Sequence, residues 1–94
     1  MIRSAGDKRT KRFLEGDRVK EFEQISRKTQ LLLRQLNRAK TLQDVSSPRS
    51  NRLHQLKGEL KEFYSLSIDK QHRIIFRWDS ENGDAHDVRI TDYH

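Results

Sequence analysis

The segment Arg73-Ile74-Ile75-Phe76-Arg77-Trp78 lies between two runs of the same character, Phe63-Tyr64-Ser65-Leu66-Ser67-Ile68 before it and His86-Asp87-Val88-Arg89-Ile90 after it. Tyr64, Leu66 and Ile68 recur at every second position of the first run, and Ile74, Phe76 and Trp78 do so in the second. His86, Val88 and Ile90 follow the same rule in the third. This is the period of a strand with one face buried. Asp69-Lys70-Gln71 makes a tight connection, and Asp79 to Asp84 supplies the next turn, with Asn82-Gly83 suited to a hairpin. The stretch predicts a three-stranded antiparallel meander.

Upstream the period changes. Val19, Phe22, Ile25, Thr29, Leu32, Leu36 and Ala39 recur at steps of three or four residues, forming one apolar stripe of a helix of about five turns. Asp17 is placed to cap that helix, although Lys20 stands where a full capping box has Glu or Gln. Before it come Ile2, expected on a short edge strand, a charged stretch from Asp7 to Arg12, then Phe13 and Leu14 ahead of a break at Glu15-Gly16-Asp17. Thr41 to Val45 suggests one further turn, and Ser46-Ser47-Pro48-Arg49-Ser50-Asn51 is the clearest loop. Two helices followed by a meander make an α+β layout, with the N-terminal helices packed on one face of the antiparallel sheet. Residues 1–94 are read as one compact domain.

Hydrophobic residues form 32% of the chain and charged residues 36%. Leu, Ile, Val and Phe together make about a quarter, above the roughly one fifth at which disorder becomes the default. The net charge is +6 and the pI about 10.0. Residues 1–40 carry twelve Lys or Arg against five acids, whereas residues 41–94 carry eight against nine. A basic half of this kind attracts phosphate backbones without reading sequence, and it also suits an acidic protein partner. The absence of cysteine removes disulfides and thiolate metal sites. No two histidines have the spacing of a compact metal site, so neither a metal nor another cofactor is expected. No apolar run approaches the ~18 residues of a membrane span, and Met1-Ile2-Arg3-Ser4 does not open a secretory signal. The expected location is the cytoplasm, without membrane contact.

Alternation also sorts the polar residues. With Ile74, Phe76 and Trp78 toward the helices, Arg73 and Arg77 face away; with Val88 and Ile90 inward, Arg89, Thr91 and Tyr93 face away. Leu53-His54-Gln55-Leu56-Lys57-Gly58 enters the first hairpin strand, with Gly58 permitting a turn beside Lys57. The open face therefore gathers His54, Lys57, Arg73, Tyr93 and His94. Cleaving RNA without a metal needs a base for the ribose 2′-OH, an acid for the leaving 5′-oxygen, and a cation for the phosphate. Histidine serves as acid or base near neutral pH. Arginine makes forked contacts with phosphate oxygens, and tyrosine stacks under an unpaired base. Taken singly, each of these residues is also an ordinary occupant of a loop or exposed strand, and plain nucleic-acid binding fits the same composition.

Arg52-Leu53-His54-Gln55-Leu56-Lys57-Gly58, Tyr64-Ser65-Leu66, Arg73-Ile74-Ile75-Phe76-Arg77-Trp78 and the final Asp92-Tyr93-His94, in this order, resemble the HigB toxins of the RelE superfamily. The opening Met1-Ile2-Arg3-Ser4 and the length agree, so the resemblance covers essentially the whole chain. It implies a RelE-like α+β fold and a type II toxin that cuts messenger RNA on the ribosome without a metal. It also implies a HigA-like helix-turn-helix antitoxin, with operator DNA bound only through the toxin–antitoxin complex. Carried over by position, the catalytic set becomes His54, Lys57, Arg73, Asp92, Tyr93 and His94, with Lys57, Arg73, Arg77 and Tyr93 on the RNA. Arg73 would stabilise the phosphate, His54 and His94 move protons, Tyr93 stack a base, Asp92 orient a histidine, and Lys57 bind phosphate or assist the base.

The chain departs from the family pattern in places. Glu59, Leu60 and Glu62 stand where an Asp-Arg pair and a later glycine are common, His72 replaces an aromatic residue, and Ala5 a larger apolar one. These changes bear on substrate affinity and codon preference more than on fold. Two other readings share the architecture: a catalytically weak relative that binds RNA or its antitoxin, and a ParE-like gyrase inhibitor. The terminal Tyr-His pair argues against the last.

Overall fold

The apolar stripe from Val19 to Ala39 is buried along its length, yet it is not one helix. A computed structural model of the protein describes residues 1–92, and in it Lys20–Ile25 form a 3-10 turn that runs into α2, Ser26–Arg38. The spacing explains the change. Val19, Phe22 and Ile25 are three apart, the repeat of a 3-10 helix; Ile25, Thr29, Leu32 and Leu36 then follow the α period. All of these are buried. Asp17 does not cap the helix as expected. It lies before the turn, its carboxylate 3.8 Å from Arg12, and Val19 occupies the N-cap without a side-chain bond.

The charged stretch after Asp7 is a helix, α1, Lys8–Leu14. The Asp7 carboxylate accepts the Thr10 N–H at 2.8 Å, a side-chain cap of the first turn. Phe13 meets Phe22 edge to face at 5.7 Å, and the Arg9 guanidinium lies over the same Phe22 ring. This apolar and cation–π contact joins α1 to the 3-10 turn.

The sheet has four antiparallel strands in sequence order, one more than the alternation predicts: β1 His54–Gln55, β2 Phe63–Ser67, β3 His72–Asp79 and β4 Asp84–Asp92. The added strand is two residues long, too short to carry a period. Ile2 and Ala5 reach β4 through isolated parallel bridges to Ala85 and Val88, so the expected edge strand is reduced to two points of pairing. The Asn82-Gly83 hairpin is wider than a two-residue turn: Asp79 pairs with Asp84, and the Gly83 N–H donates to the Asp79 carbonyl at 2.8 Å.

His86 departs furthest from the alternation. Arg77 pairs with His86 and Ile75 with Arg89, so Asp87 and Val88 together oppose Phe76. Asp87 takes φ +53, the left-handed region, and the strand bulges there. The inward set is consequently Ala85, Val88 and Ile90, all at most 1% exposed, while His86 turns out of the core. Without the bulge, Val88 and Ala85 could not face the same side.

One core unites the two layers. Phe22, Leu32, Leu33 and Leu36 meet Leu66, Ile74, Phe76, Val88 and Ile90, with Tyr64 and Trp78 partly buried against them. Loop 46–51 is pinned to α2: Gln35 donates to the carbonyls of Asp44 and Ser47, and the buried Asn51 amide donates to Gln35 and to the Val45 and Ser47 carbonyls. No helix among the described residues is long and apolar enough to cross a membrane.

Two measurements test this packing. The N-terminal segment leaves the sheet at Gly6, and the fully buried Thr10 hydroxyl accepts the Ile90 N–H at 3.0 Å in place of a strand. Thr10→Val keeps the shape and removes the acceptor, so urea unfolding should show a loss of about 1–3 kcal/mol; a loss within error would contradict that role. The Asp44 carboxylate accepts the N–H groups of Lys40 and Thr41, which hold its pKa below the usual 3.8. A depressed carboxyl pKa stabilises the fold above the unfolded value, and that contribution is lost as pH falls through the folded value. Stability measured across the acid range should therefore flatten in Asp44→Asn, and an unchanged acid limb would count against it.

Candidate active site on the open face of the sheet

Antiparallel register fixes which polar side chains can meet. His54, Ser65, Ile75 and Arg89 form one row across all four strands. Ser67, Arg73 and Thr91 form the next row, and Phe63, Arg77 and His86 lie on the other side. All are on the face turned away from the helices.

His54 is the best-defined member. Its Nδ1 lies 3.0 Å from the Arg52 carbonyl, and its Nε2 lies 3.4 Å from Arg73 Nη1. A carbonyl only accepts and a guanidinium only donates. The neutral ring consistent with both partners carries its proton on Nδ1 and turns the Nε2 lone pair toward Arg73. Arg52 is itself left-handed, at φ 49 and ψ 50, which turns its carbonyl back onto the ring. The pinned loop before it delivers this turn to the sheet.

Arg73 lies flat. Its Nη1 also reaches the buried Ser65 hydroxyl at 3.4 Å, so the side chain crosses β2 to the imidazole on β1. Its backbone pairs with Thr91, and Asp92 pairs with His72 one step further along. Asp92 is exposed at the end of β4. His72 Nδ1 is 3.0 Å from the Asp69 carboxylate. Burial raises the pKa of that carboxyl, but the N–H groups of His72 and Gln71 and the His72 ring outweigh it, and the net shift is downward.

The other expected residues are spread around this pair. Lys57 is exposed in extended backbone just before Gly58, whose φ of +71 makes the anticipated turn. Arg77 is bound to Asp87 at 2.7 Å, so its charge on this face is already balanced. Tyr93 and His94 lie outside the described residues. Among the described residues, β4 runs beside Arg73 and His72 through Thr91 and Asp92.

Alternation turns Arg89 outward without giving it a role. Its guanidinium sits 5.4 Å from the centroid of Phe63, a cation–π contact of about 0.5–2 kcal/mol. Only its outward phase marks it in the sequence. Asp79, Asp84 and His86 also bring one potential metal-ligand atom each within 4.8 Å of one another. Their carboxylates already have donors: Asp84 holds Arg3 at 3.1 Å and the N-terminal ammonium at 3.5 Å, and Asp79 accepts the Asn82 amide.

A model of the HigB-like toxin family, described as RelE-like toxins of the type II toxin–antitoxin system HigB, matches residues 3–94. Over 43 residues the chain is 40% identical to Toxin HigB-1 of Vibrio cholerae serotype O1 (strain ATCC 39315 / El Tor Inaba N16961). That match spans 46% of this chain and 45% of that toxin, less than half the length of either. Matched by the family model over nearly its whole length, with a four-stranded sheet under two helices, the chain belongs to the HigB-like, RelE-like toxins of type II toxin–antitoxin systems.

Proposed function

We propose that this toxin is a messenger-RNA endonuclease that works on the ribosome and cuts through the ribose 2′-OH without a metal. The observation that carries the reading is the contact of His54 Nε2 with Arg73 Nη1 on an open, cationic sheet face. His54 takes the proton from the 2′-OH, and the 2′-oxygen attacks the adjacent phosphorus. The bond to the 5′-oxygen breaks, an acid protonates that oxygen, and the products are a 2′,3′-cyclic phosphate and a free 5′-hydroxyl. Arg73 bears the charge that builds on the phosphate. His94 is the second proton-transfer group, Tyr93 the stacking platform for an unpaired base, Asp92 the group that orients an imidazole, and Lys57 a further phosphate contact. These last four assignments rest on residue type and on the family.

His54 is exposed and Arg73 half-exposed on the sheet face. Such a face offers the RNA little enclosure, so the in-line geometry of attack has to come from outside. A ribosome holding the message supplies it. The partners of the system are a HigA-like helix-turn-helix antitoxin, the ribosome and its message, with operator DNA reached only through the antitoxin complex, and the site of action is the bacterial cytoplasm.

Two experiments test the reading. Arg73→Ala should lower message cleavage about 100-fold or more, the cost typical of removing one transition-state donor, and should abolish growth arrest. Mapping transcript ends after brief induction measures it: new ends within translated messages that vanish in the variant support the nuclease, whereas growth arrest unchanged in Arg73→Ala defeats it. Asp87→Asn retains a residue tolerant of the left-handed bulge and releases Arg77 from its carboxylate. It should tighten RNA binding a few-fold and steepen the salt dependence; an unchanged slope would show that Arg77 does not reach the RNA.

A further inference from the structure

We infer that Arg89 and Phe63 form a second phosphate subsite for single-stranded RNA, beside the one at Arg73. The inference rests on the reading of the open face as RNA-cutting and adds to it a residue pair that neither the family resemblance nor the sequence motifs supply.

Arg89 stands on the same row as His54 and is a diagonal neighbour of Arg73, because Arg73 pairs with Thr91 and Ile75 with Arg89. Diagonal neighbours across antiparallel strands lie roughly 7–8 Å apart, close enough for one extended strand of RNA to touch both. Arg73 reaches Ser65 on β2 and His54 on β1, and the Arg89 guanidinium lies 5.4 Å from the centroid of the Phe63 ring on β2. Ile75 is only 7% exposed although it faces away from the helices.

Three features mark Arg89 as a built cation. It forms no ion pair among the described residues, in contrast to its neighbour Arg77, which Asp87 holds at 2.7 Å. Its buried Nε has no hydrogen-bond partner there, so the contact with Phe63, rather than an acceptor, holds the side chain. The stem is accommodated by a glycine: a Cβ on Gly6 would collide with Arg89 Nε and fall 2.6 Å from its Cγ. With its Nε buried, a guanidinium packed beside a ring can still make a forked contact with phosphate oxygens through its two Nη groups, and less side-chain freedom remains to be lost on binding.

The test measures binding of a short, fully 2′-O-methylated oligoribonucleotide, which cannot be cut, to the full chain over a range of salt. Arg89→Gln should weaken binding about tenfold and lower the slope of log K against log salt by about 0.7, one phosphate contact on a single strand. Gly6→Ala retains the charge and displaces the guanidinium, so it should also weaken binding, and Phe63→Leu should do so by removing the platform. These two variants carry the test if Arg89→Gln does not fold. Parental affinity in all three, while Arg73→Gln binds weakly, overturns the subsite and leaves the nuclease reading standing. Weaker binding of Arg89→Gln at the parental slope also overturns it, since Arg89 would then act only on the fold. Parental affinity in Arg73→Gln as well would instead bring down the RNA reading of the whole face.

Discussion

The extra residue at Asp87 is the constraint on which this molecule depends. β4 has to bury Ala85 at one end and Val88 and Ile90 at the other, and an unbroken strand cannot do this, because Ala85 and Val88 stand an odd number of positions apart. The bulge absorbs the odd residue by putting Asp87 at φ +53. The same step sets the outer face. Beyond the bulge Arg89 and Thr91 align with Ile75 and Arg73, and before it His86 aligns with Arg77. Core and candidate site are therefore two consequences of one local geometry. Asp87 itself is tied down by its ion pair with Arg77, so the residue that sets the phase of β4 also removes one cation from the face.

Charge on that face is graded rather than uniform. Arg77 is neutralised, Arg73 is shared with Ser65 and His54, and Arg89 rests on an aromatic ring. On the proposed reading, a phosphate chain would meet Arg73 and Arg89 as diagonal neighbours, next to the imidazole of His54. Desolvation matters here. The buried Ser65 and Ile75 give the two arginines a dry floor, which strengthens their interaction with an anion relative to arginines extended into water. Long-range attraction is a separate matter: the positive excess lies in residues 1–40, mostly on the helical layer, and it would guide an approach without choosing the scissile bond.

What the sequence discloses, and what it conceals, follows the range of the interactions involved. Alternation in Tyr64, Leu66, Ile74 and Phe76 reports burial of one face, a local property, and both strands form where it places them. The stripe from Val19 to Ala39 is equally legible, although its initial steps of three encode a 3-10 turn rather than the start of an α-helix. The bulge is hidden for a physical reason: nothing in Asp87 alone demands the left-handed region, and only the misfit between Ala85 and Val88 signals it. Asp17 is a plausible cap because aspartate caps well, but Arg12 competes for its carboxylate. For the site, His54 and Arg73 are legible through residue type and phase, and the structure brings them together. Arg89 is not, since its partners Phe63 and Gly6 are brought to it by tertiary pairing alone.

The shape of the face also bears on why such a toxin would depend on a ribosome. The grooves lined by Ile2, Leu14 and Leu33, by Phe13 and Val19, and by Leu31 and Ala39 belong to the helical layer, and none is lined by His54 or Arg73. A flexible RNA strand on an exposed sheet face can satisfy two arginines in many backbone conformations, few of which align the 2′-oxygen with the 5′-oxygen that must leave. Holding reactants in line is worth about 7–11 kcal/mol in favourable cases, more than a single transition-state donor contributes. A face that does not itself align the strand forgoes the greater of these two contributions unless another body supplies it. Opening the face has a compensating effect: a message already fixed in a second surface can be pressed against His54 and Arg73 without threading through a cleft. If the toxin cuts as proposed, the exposure of His54 and Arg73 on the sheet face is what makes cleavage conditional on translation.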